Sequence, residues 1–261
     1  MRLKEFSRAE FQKALQRTIR TLTRGKTIPE QPKAILLGGQ SGAGKSTIHR
    51  IKQKEFQGNI ITIDGDSYRS QYPNYIVLQE KYGKDSVDYT KEFTGKMVEQ
   101  LVDELSTQGY HLLIEGTLRT VAVSRKTAQL LKSKGYQVSL AVIGTKPKLS
   151  YLSTLIRYEE LYAIDPNQAR ATPKEHHDEI VENLVDNLRE LERVQLFDQI
   201  QIYQRDQTCI YDSETDESSV AEVLQDCLFG EWSKVEVDMM TVGRALLQEL
   251  IEDNILQNNI K

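Results

Sequence analysis

Residues 39–46 form a complete match to the phosphate-binding pattern G-x-x-x-x-G-K-[ST]. Its glycines let the backbone curl so that successive N–H groups converge on phosphate oxygens, and the helix that follows directs its positive end at the same anion. Lys45 is expected to reach the β- and γ-phosphates, and the hydroxyl of Ser46 is expected to ligate Mg²⁺. The pattern lies between a short apolar run and a helical stretch, the context in which such loops bind nucleotides. We therefore predict nucleotide contacts from Gly39, Gln40, Ser41, Gly42, Ala43, Gly44, Lys45, Ser46 and Thr47.

The rest of the chain alternates short apolar runs with amphipathic stretches of helical period. Capping boxes at residues 7–10 and 172–175 each predict the start of a helix. The alternation is typical of an α/β P-loop NTPase or kinase fold, with a mostly parallel sheet that carries helices on both faces. The simplest division is a P-loop kinase domain over residues 1–235, N-terminal helix included, and a helical C-terminal extension over residues 236–261. Strands are predicted at residues 34–37, 59–63, 111–114, 138–143, 199–204 and 208–211.

The overall composition limits the kind of partner. With a net charge of −4, 39% hydrophobic residues and 28% charged residues, the chain has an ordinary globular balance. A mildly acidic chain is a poor match for general nucleic-acid binding, which depends on an excess of Lys and Arg. Cys209 and Cys227 have no zinc-type spacing, and no stretch has the ~20 apolar residues that a membrane span needs. We expect a cytoplasmic protein with reduced thiols that binds neither nucleic acid nor membrane.

Carboxylates follow two of the predicted strands. Asp66 comes just after the second strand, at the edge where ligands bind in open α/β sheets, and could accept the proton of an acceptor hydroxyl. The alternative for Asp66 is a turn residue, a role that suits Asp64 better. Glu115 ends the third strand and resembles a degenerate Walker B carboxylate close to a metal. The alternative for Glu115 is a solvated glutamate at a strand end.

Two arginines flank a polar segment that is predicted to run from helix through turn to helix. Arg157 and Arg170 lie on either side of residues 158–169. A transferring phosphoryl group needs cations around its oxygens, and the planar guanidinium binds phosphate bidentately. We interpret the segment as a lid that closes over the nucleotide, with two surface arginines as the alternative. The adjacent His176 and His177 have no other ligand-type neighbours in the sequence and are expected at the surface.

Five motifs, taken together and in this order, resemble the zeta toxin family, and within it the chromosomal branch. They are GGQSGAGKST (38–47), IDGDSYR (63–69), LLIEGTLRT (112–120), LIRYEELY (155–162) and NQARATPKEHHD (167–178), and the resemblance extends from about residue 30 to about residue 235. It implies a toxin kinase that uses ATP and Mg²⁺ to phosphorylate the 3-hydroxyl of the amino sugar of UDP-N-acetylglucosamine. The product could not serve cell-wall synthesis. The resemblance also implies a small helical antitoxin that silences the toxin by occluding the ATP site.

The resemblance also assigns roles residue by residue. Asp66 stands where the family's catalytic base stands, and Lys45 and Ser46 stand in the phosphate loop. Arg157 and Arg170 match the two arginines that clamp the phosphates. The positions that contact the sugar nucleotide are matched by Glu99, Glu115, Thr117 and Thr127, with Arg119 and Arg69 as neighbouring matches. The residues after about 235 match least and are assigned no function.

Three other functions share part of this pattern. A P-loop kinase of another small hydroxyl compound, such as an antibiotic or a nucleoside, differs only in its acceptor pocket, and the motif at residues 112–120 argues against it. A switch NTPase is disfavoured because the sequence has no N-K-x-D guanine signature, and because an acceptor-side carboxylate with a lid favours transfer to a hydroxyl. A nucleic-acid kinase would need a basic stripe, which the acidic balance does not provide.

Overall fold

The structure of the chain, a computed structural model, describes residues 3–166, 169 and 171–260. Its strands are β1 (Lys33–Gly38), β2 (Ile61–Ile63), β3 (Leu112–Glu115), β4 (Gln137–Gly144), β5 (Gln199–Gln204) and β6 (Cys209–Asp212). Its α-helices are α1 (Arg8–Leu22), α2 (Lys45–Glu55), α3 (Tyr75–Tyr82), α4 (Ser86–Gln108), α5 (Val121–Ser133), α6 (Pro147–Ile164), α7 (Lys174–Arg193), α8 (Val220–Phe229) and α9 (Lys234–Ile260). Short 3-10 helices cover Gly65–Gln71 and Gly83–Asp85.

The strands form one sheet in the order β2-β3-β1-β4-β5-β6. All neighbouring pairs are parallel except β5 with β6, which are antiparallel. In the registers, Leu36 of β1 lies between Ile114 of β3 and Leu140 of β4. The predicted α/β fold with a mostly parallel sheet is therefore confirmed. The parallel pairs explain why the central strands read as apolar runs without alternation, because such sheets are covered on both faces.

Both faces of the sheet carry a core. Along β1 and β4, successive side chains point to opposite faces. Leu36 and Leu140 join the larger cluster of buried residues, whereas Leu37 and Ala141 join the smaller one, which α2 covers through Ile48. The central strands are thus held from both sides, and the ends of these strands are fixed positions from which loops can present functional groups.

The two predicted helix starts have different outcomes. Ser7 and Glu10 form the expected capping box at the start of α1, which packs its Phe11 ring edge-to-face on Phe93 of α4 with centroids 5.4 Å apart. The predicted box at residues 172–175 is wrong, because α7 begins at Lys174 and no side chain caps it. Thr172 lies one residue too early to cap this helix. Its hydroxyl instead accepts a hydrogen bond from Nη2 of Arg157 at 3.5 Å.

Helix α9 lies along α6. Gly243 allows the close approach, since a Cβ at that position would lie 2.9 Å from Leu152. Farther along, Nδ2 of the buried Asn254 donates to the backbone oxygen of Glu159 at 3.1 Å and to its carboxylate at 2.8 Å. Among the described residues, no helix combines the length and the apolar character that crossing a bilayer requires.

The carboxyl ends of the parallel strands lie along one edge of the sheet. From this edge, β1 leads into the phosphate loop, β2 into the 3-10 helix Gly65–Gln71, and β3 into residues 116–120. Ligands of doubly wound sheets bind in the crevice outside this edge. The predicted site residues that follow β1, β2 and β3 therefore meet on the same side of the molecule.

Candidate active site

The phosphate loop joins β1 to α2 through a strongly curved backbone. Gly39, Gly42 and Gly44 have φ angles of 140°, 74° and 103°, values that disfavour any residue with a Cβ. At Gly42 there is also no room, since a Cβ would lie 2.0 Å from the backbone oxygen of Ser150. Helix α2 begins at Lys45, so its unpaired N–H groups open into the loop. The residues present fit a bound phosphate chain.

Lys45 is held inside this loop. Its Nζ donates to the backbone oxygens of Gly39 at 3.0 Å and Gln40 at 3.2 Å, and it lies 3.8 Å from Oε1 of Glu115. Burial lowers the pKa of Lys45, and the negative charge of Glu115 counteracts that shift. A cation shielded from water in this way interacts strongly with an incoming phosphate.

The loop is fastened to the turn after β4. Gln40 is fully buried and its Nε2 donates to the backbone oxygen of Thr145 at 2.6 Å. The hydroxyl of Thr145 donates in return to the backbone oxygen of Ala43 at 2.8 Å. These two bonds fix the loop in its curved form without occupying the N–H groups of its mouth.

The remaining loop residues differ in exposure. Thr47 is buried in the first turn of α2, Ser41 is half-buried, and Ser46 is exposed at the mouth. The described residues contain no group of three or more His, Cys, Asp or Glu able to hold a metal ion. Mg²⁺ nevertheless fits the Ser46 hydroxyl, because this ion keeps several waters and typically takes few protein oxygens plus substrate phosphates.

Glu115 is paired on both carboxylate oxygens. Oε2 lies 2.7 Å from Nε2 of His49, and Oε1 is the atom that faces Lys45. Burial alone would raise the pKa of Glu115, but the contacts with His49 and Lys45 lower it overall. The carboxylate therefore remains ionised at the edge of the phosphate loop. Sequence reasoning missed His49, although its position one helical turn after Lys45 places both residues on one face of α2.

The two aspartates after β2 take different positions. Asp64 caps the 3-10 helix, since its Oδ1 accepts from the Asp66 amide at 3.0 Å and its Oδ2 from the Ser67 hydroxyl at 2.7 Å. The side chain of Asp66 is 62% exposed and lies 2.8 Å from Nε of Arg69. Arg69 is anchored in turn through Nη1 to the hydroxyl of Thr90 at 2.8 Å. Asp64 is thus the residue that caps the turn. The Asp66 carboxylate is exposed to solvent and lies beside Arg69, whose position is fixed.

Residues 116–120 form a loop that is locked by two groups the sequence analysis did not identify. Leu118 has a φ of 54°, unusual for a branched residue, and its side chain fills the space that a Cβ on Gly38 would need. Nδ2 of Asn187, from α7, donates to the backbone oxygens of Leu118 and Arg119, both at 2.8 Å. The half-buried Thr117 and the exposed Arg119 are therefore carried on a rigid loop next to Glu115.

The other residues predicted to contact a sugar nucleotide lie on two helices. Glu99 is exposed on α4, which packs against the 3-10 helix of Asp66, where a Cβ on Gly65 would meet Val98 at 3.4 Å. Thr127 is half-buried on α5, and its hydroxyl donates to the backbone oxygen of Val123 at 3.0 Å. Both helices border the same sheet edge, but the hydroxyl of Thr127 is engaged by its own helix in this arrangement.

The predicted arginine lid is described only in part. Arg157 is exposed on α6, and its charge contributes to lowering the pKa of Lys45, so it lies within electrostatic reach of the phosphate loop. Arg170 lies outside the described residues.

The histidine pair divides between surface and core. His176 lies at the surface as expected, with 43% of its side chain exposed. The expectation for His177 is wrong, because this residue is fully buried. Its Nε2 lies 2.9 Å from the hydroxyl oxygen of Ser150. The same hydroxyl accepts a hydrogen bond from Nε2 of Gln40 at 3.3 Å. A buried polar chain thus runs from the phosphate loop through α6 to α7. The apolar stripe of α7, with buried residues at 180, 181 and 184, is the sequence signal that could have placed His177 inside.

Comparison with known proteins identifies the family. The family model of the zeta toxin matches residues 17–216. Toxin PezT of Streptococcus pneumoniae is 67% identical over 252 residues, which cover 97% of this chain and all of that protein. Toxin zeta of Streptococcus pyogenes is 42% identical over 84% of this chain and 77% of its own length.

Solved structures agree with this likeness. A chain from the PezAT chromosomal toxin–antitoxin system of S. pneumoniae superposes with a TM-score of 0.91 at 66% identity, over 96% of this chain and all of that one. A structure of AvrRxo1-ORF1:-ORF2 with ATP shares the fold, with a TM-score of 0.63 at 13% identity over 93% of this chain and 85% of that one. The phosphate loop, the carboxylates after β2 and β3 and these matches lead to one conclusion: the chain belongs to the zeta toxin family.

Proposed function

We propose that the protein is a toxin kinase that transfers the γ-phosphate of ATP to the 3-hydroxyl of the amino sugar of UDP-N-acetylglucosamine. One observation carries the proposal of a kinase. Lys45 lies in the loop after β1, Glu115 ends β3 and Asp66 follows β2, three adjacent strands at one sheet edge. Lys45 lies 3.8 Å from Glu115, and the negative charge of Asp66 opposes the lowering of the pKa of both groups. A phosphate cradle and an exposed carboxylate are thus placed within reach of one transferring group.

The phosphate loop would bind the nucleotide. Its N–H groups and Lys45 would bind the β- and γ-phosphates, and the Ser46 hydroxyl would ligate Mg²⁺, with the Glu115 carboxylate as the acidic group near the metal. When bound, the metal neutralises charge on the phosphate oxygens. The buried Lys45 stabilises the charge that develops as the bond between the γ-phosphorus and the bridging oxygen breaks.

Asp66 would act as the general base. It accepts the proton of the sugar hydroxyl while that oxygen forms its bond to the γ-phosphorus, and ADP leaves with the bridging oxygen. Its exposure suits an acceptor that arrives from solvent, and its contact with Arg69 fixes its direction. Arg157, together with Arg170, would clamp the transferring phosphate as the lid closes.

The choice of acceptor rests on family membership. Residues 116–120 form a loop directly after Glu115 that Asn187 holds and that carries Thr117 and Arg119, while Glu99 lies on α4 and Thr127 on α5. These residues supply carboxylate, hydroxyl and guanidinium groups, which suit the hydroxyls and the diphosphate of a sugar nucleotide. Phosphorylation of the 3-hydroxyl would block use of the precursor in peptidoglycan synthesis.

A toxin of this kind requires a silencing partner. The relatives of the chain are named as toxins, and one solved relative belongs to a toxin–antitoxin system. We propose a cognate antitoxin that occludes the ATP site, with the complex residing in the cytoplasm. If this is right, the purified complex will fail to bind a fluorescent ATP analogue until the antitoxin is removed.

A direct assay tests the catalytic proposal. Purified protein is incubated with Mg-ATP and UDP-N-acetylglucosamine, and the sugar nucleotide is followed by mass spectrometry. A gain of one phosphate on the sugar nucleotide, abolished in Asp66→Ala, is the expected result. Absence of product with ATP still bound would discard this acceptor in favour of another small hydroxyl compound, such as an antibiotic or a nucleoside. Absence of ATP binding would discard the kinase itself.

A further inference from the structure

The order of strands fixes the direction of a bound nucleotide. The acceptor-side groups follow β2 and β3, which lie on one side of β1 and its phosphate loop. β4 and β5 lie on the other side of β1. A γ-phosphate that faces the acceptor must point toward β3 and β2, so the nucleoside must extend toward the elements that follow β4 and β5. This step rests on the proposed kinase function.

Arg205 is the residue that stands in this direction. It follows β5 directly, and its Nη1 donates to the backbone oxygen of Gly42 at 3.0 Å and to the hydroxyl of Ser153, on α6, at 2.8 Å. Its Cγ lies 3.5 Å from the place a Cβ on Gly44 would take. The guanidinium is therefore pinned between the phosphate loop and the helix after β4.

Within the part of the chain that the structure describes, no carboxylate balances the charge of Arg205. Among residues 3–166, 169 and 171–260, no carboxylate forms an ion pair with it, and the neighbouring Asp206 instead accepts from the Thr208 amide at 3.0 Å. Burial lowers the pKa of Arg205 without an opposing carboxylate. Within the same residues its hydrogen bonds leave from Nη1 alone, and the side chain is only half-buried. A half-buried cation without a neighbouring carboxylate can be stabilised by a group of a bound ligand.

We infer that Arg205 is the platform on which the base of the bound purine nucleotide stacks. Guanidinium groups stack on aromatic rings through both cation–π attraction and planar contact, and an arginine held by two hydrogen bonds loses little further entropy on stacking. Such a platform accepts any purine face. It contributes to the affinity for nucleoside triphosphates but not to the affinity for a bare phosphate chain.

The experiment compares two ligands that share phosphates and differ in the base. Affinities for Mg-ATP and for inorganic tripolyphosphate are measured by calorimetry for wild type, Arg205→Ala and Arg205→Lys. Arg189→Ala, which removes a half-buried arginine of α7 that pairs with Asp186, is the control. We expect both Arg205 variants to bind Mg-ATP about 5- to 30-fold more weakly. In Arg205→Lys, which keeps the positive charge beside the phosphate loop, binding of tripolyphosphate should change less than about 2-fold, so the loss that is specific to Mg-ATP is measured in this variant.

Each outcome distinguishes this inference from the proposed function. Equal weakening for both ligands, reversed by lysine, would mean that Arg205 acts on phosphates and would overturn the platform. Unchanged affinity for Mg-ATP in Arg205→Ala would overturn it as well. If the alanine variant fails to fold, the lysine variant alone tests the inference, because it keeps the positive charge and lacks the planar guanidinium. Wild type that binds neither ligand would overturn the proposed kinase function and the inference with it.

Discussion

Nε2 of His49 lies 2.7 Å from Oε2 of Glu115, and this contact ties the first turns of α2 to the end of β3. Lys45 approaches the other oxygen of the same carboxylate at 3.8 Å. Glu115 is therefore held from both sides by residues one helical turn apart. The contacts lower its pKa in spite of burial, so the group stays ionised where the nucleotide phosphates and the metal are expected.

His49→Asn tests what this contact does. Partners that orient a carboxylate near a metal typically alter metal affinity or activity by about 10- to 100-fold when removed. We expect the Mg²⁺ concentration for half-maximal kinase rate to rise within that range, measured by titrating the metal at saturating ATP. His176→Asn, at a surface histidine with 43% of its side chain exposed, is the control. A rise in the KM for the sugar nucleotide with unchanged Mg²⁺ dependence would place Glu115 on the acceptor instead.

Asp66→Asn should separate binding from transfer. The substitution keeps the size of the side chain and removes the proton acceptor, so kcat should fall by about 10²- to 10⁴-fold. The melting temperature and the affinity for ATP should stay within error of wild type, because the side chain is 62% exposed. Asp88→Asn, at an exposed carboxylate on α4, should leave kcat unchanged. Turnover near the wild-type value would remove Asp66 from the mechanism.

Lys45→Ala should separate catalysis from binding in the cell. Loss of the buried cation removes charge stabilisation at the transferring phosphate, so the variant should lack kinase activity. Induction of wild type without an antitoxin should stop growth of a bacterial host, and induction of the variant at equal protein level should not. Growth is followed by optical density and protein level by immunoblot. Equal harm from both proteins would point to a mechanism that depends on binding alone.

The sequence predicted those features of the fold and the site that depend on a few consecutive residues. The phosphate loop, the apolar strands and the carboxylates that follow β2 and β3 are each encoded in a few consecutive residues, and the parallel sheet follows from their alternation. Asn187 and Arg205 were not predicted because each acts on backbone oxygens 68 or more positions away. No periodicity or spacing encodes such a contact, which exists only once the sheet has brought the segments together.

The failed capping box shows a second kind of limit. Residues 172–175 satisfy the pattern, yet α7 begins at Lys174 and Thr172 contacts Arg157 instead. A box requires the Ser or Thr at the N-cap position, which Pro173 occupies here. Local propensity was overruled by a tertiary contact within the candidate site, where such conflicts are expected.

Stability should decrease in mild acid because of His177. Burial lowers its pKa, and the nearby Asp178 only partly offsets the shift. The unfolded chain therefore takes up a proton first, as pH falls below the unfolded value of 6.5. A group with a depressed folded pKa stabilises the fold above that value and loses this contribution below it. We expect the free energy of unfolding to fall by up to about 1.4 kcal/mol per pH unit as the pH drops below about 6.5.

Urea denaturation at several pH values measures this effect. His177→Gln should be less stable at neutral pH, because Ser150 loses its buried partner, and its stability should depend less on pH over the same window. His176→Gln should follow the wild-type slope. A slope unchanged in His177→Gln would assign the acid sensitivity to other groups.

Gly42→Ala tests whether the shape of the phosphate loop is dictated by backbone geometry. The φ of 74° costs an alanine about 1–2 kcal/mol, and its Cβ would lie 2.0 Å from the backbone oxygen of Ser150. The loop must move, so ATP affinity should fall at least about 10-fold, a cost of about 1.4 kcal/mol.

Gly95→Ala on α4 is the matched control. A Cβ there meets nothing within 4 Å, and alanine should raise stability by about 0.5–1 kcal/mol without changing ATP affinity. Calorimetric titration with Mg-ATP and thermal unfolding of both variants measure the two effects. Normal ATP affinity in Gly42→Ala would mean that α6 moves to make room for the new Cβ. It would also mean that the hydrogen bonds of Gln40 and Thr145 do not hold the phosphate loop rigid in solution.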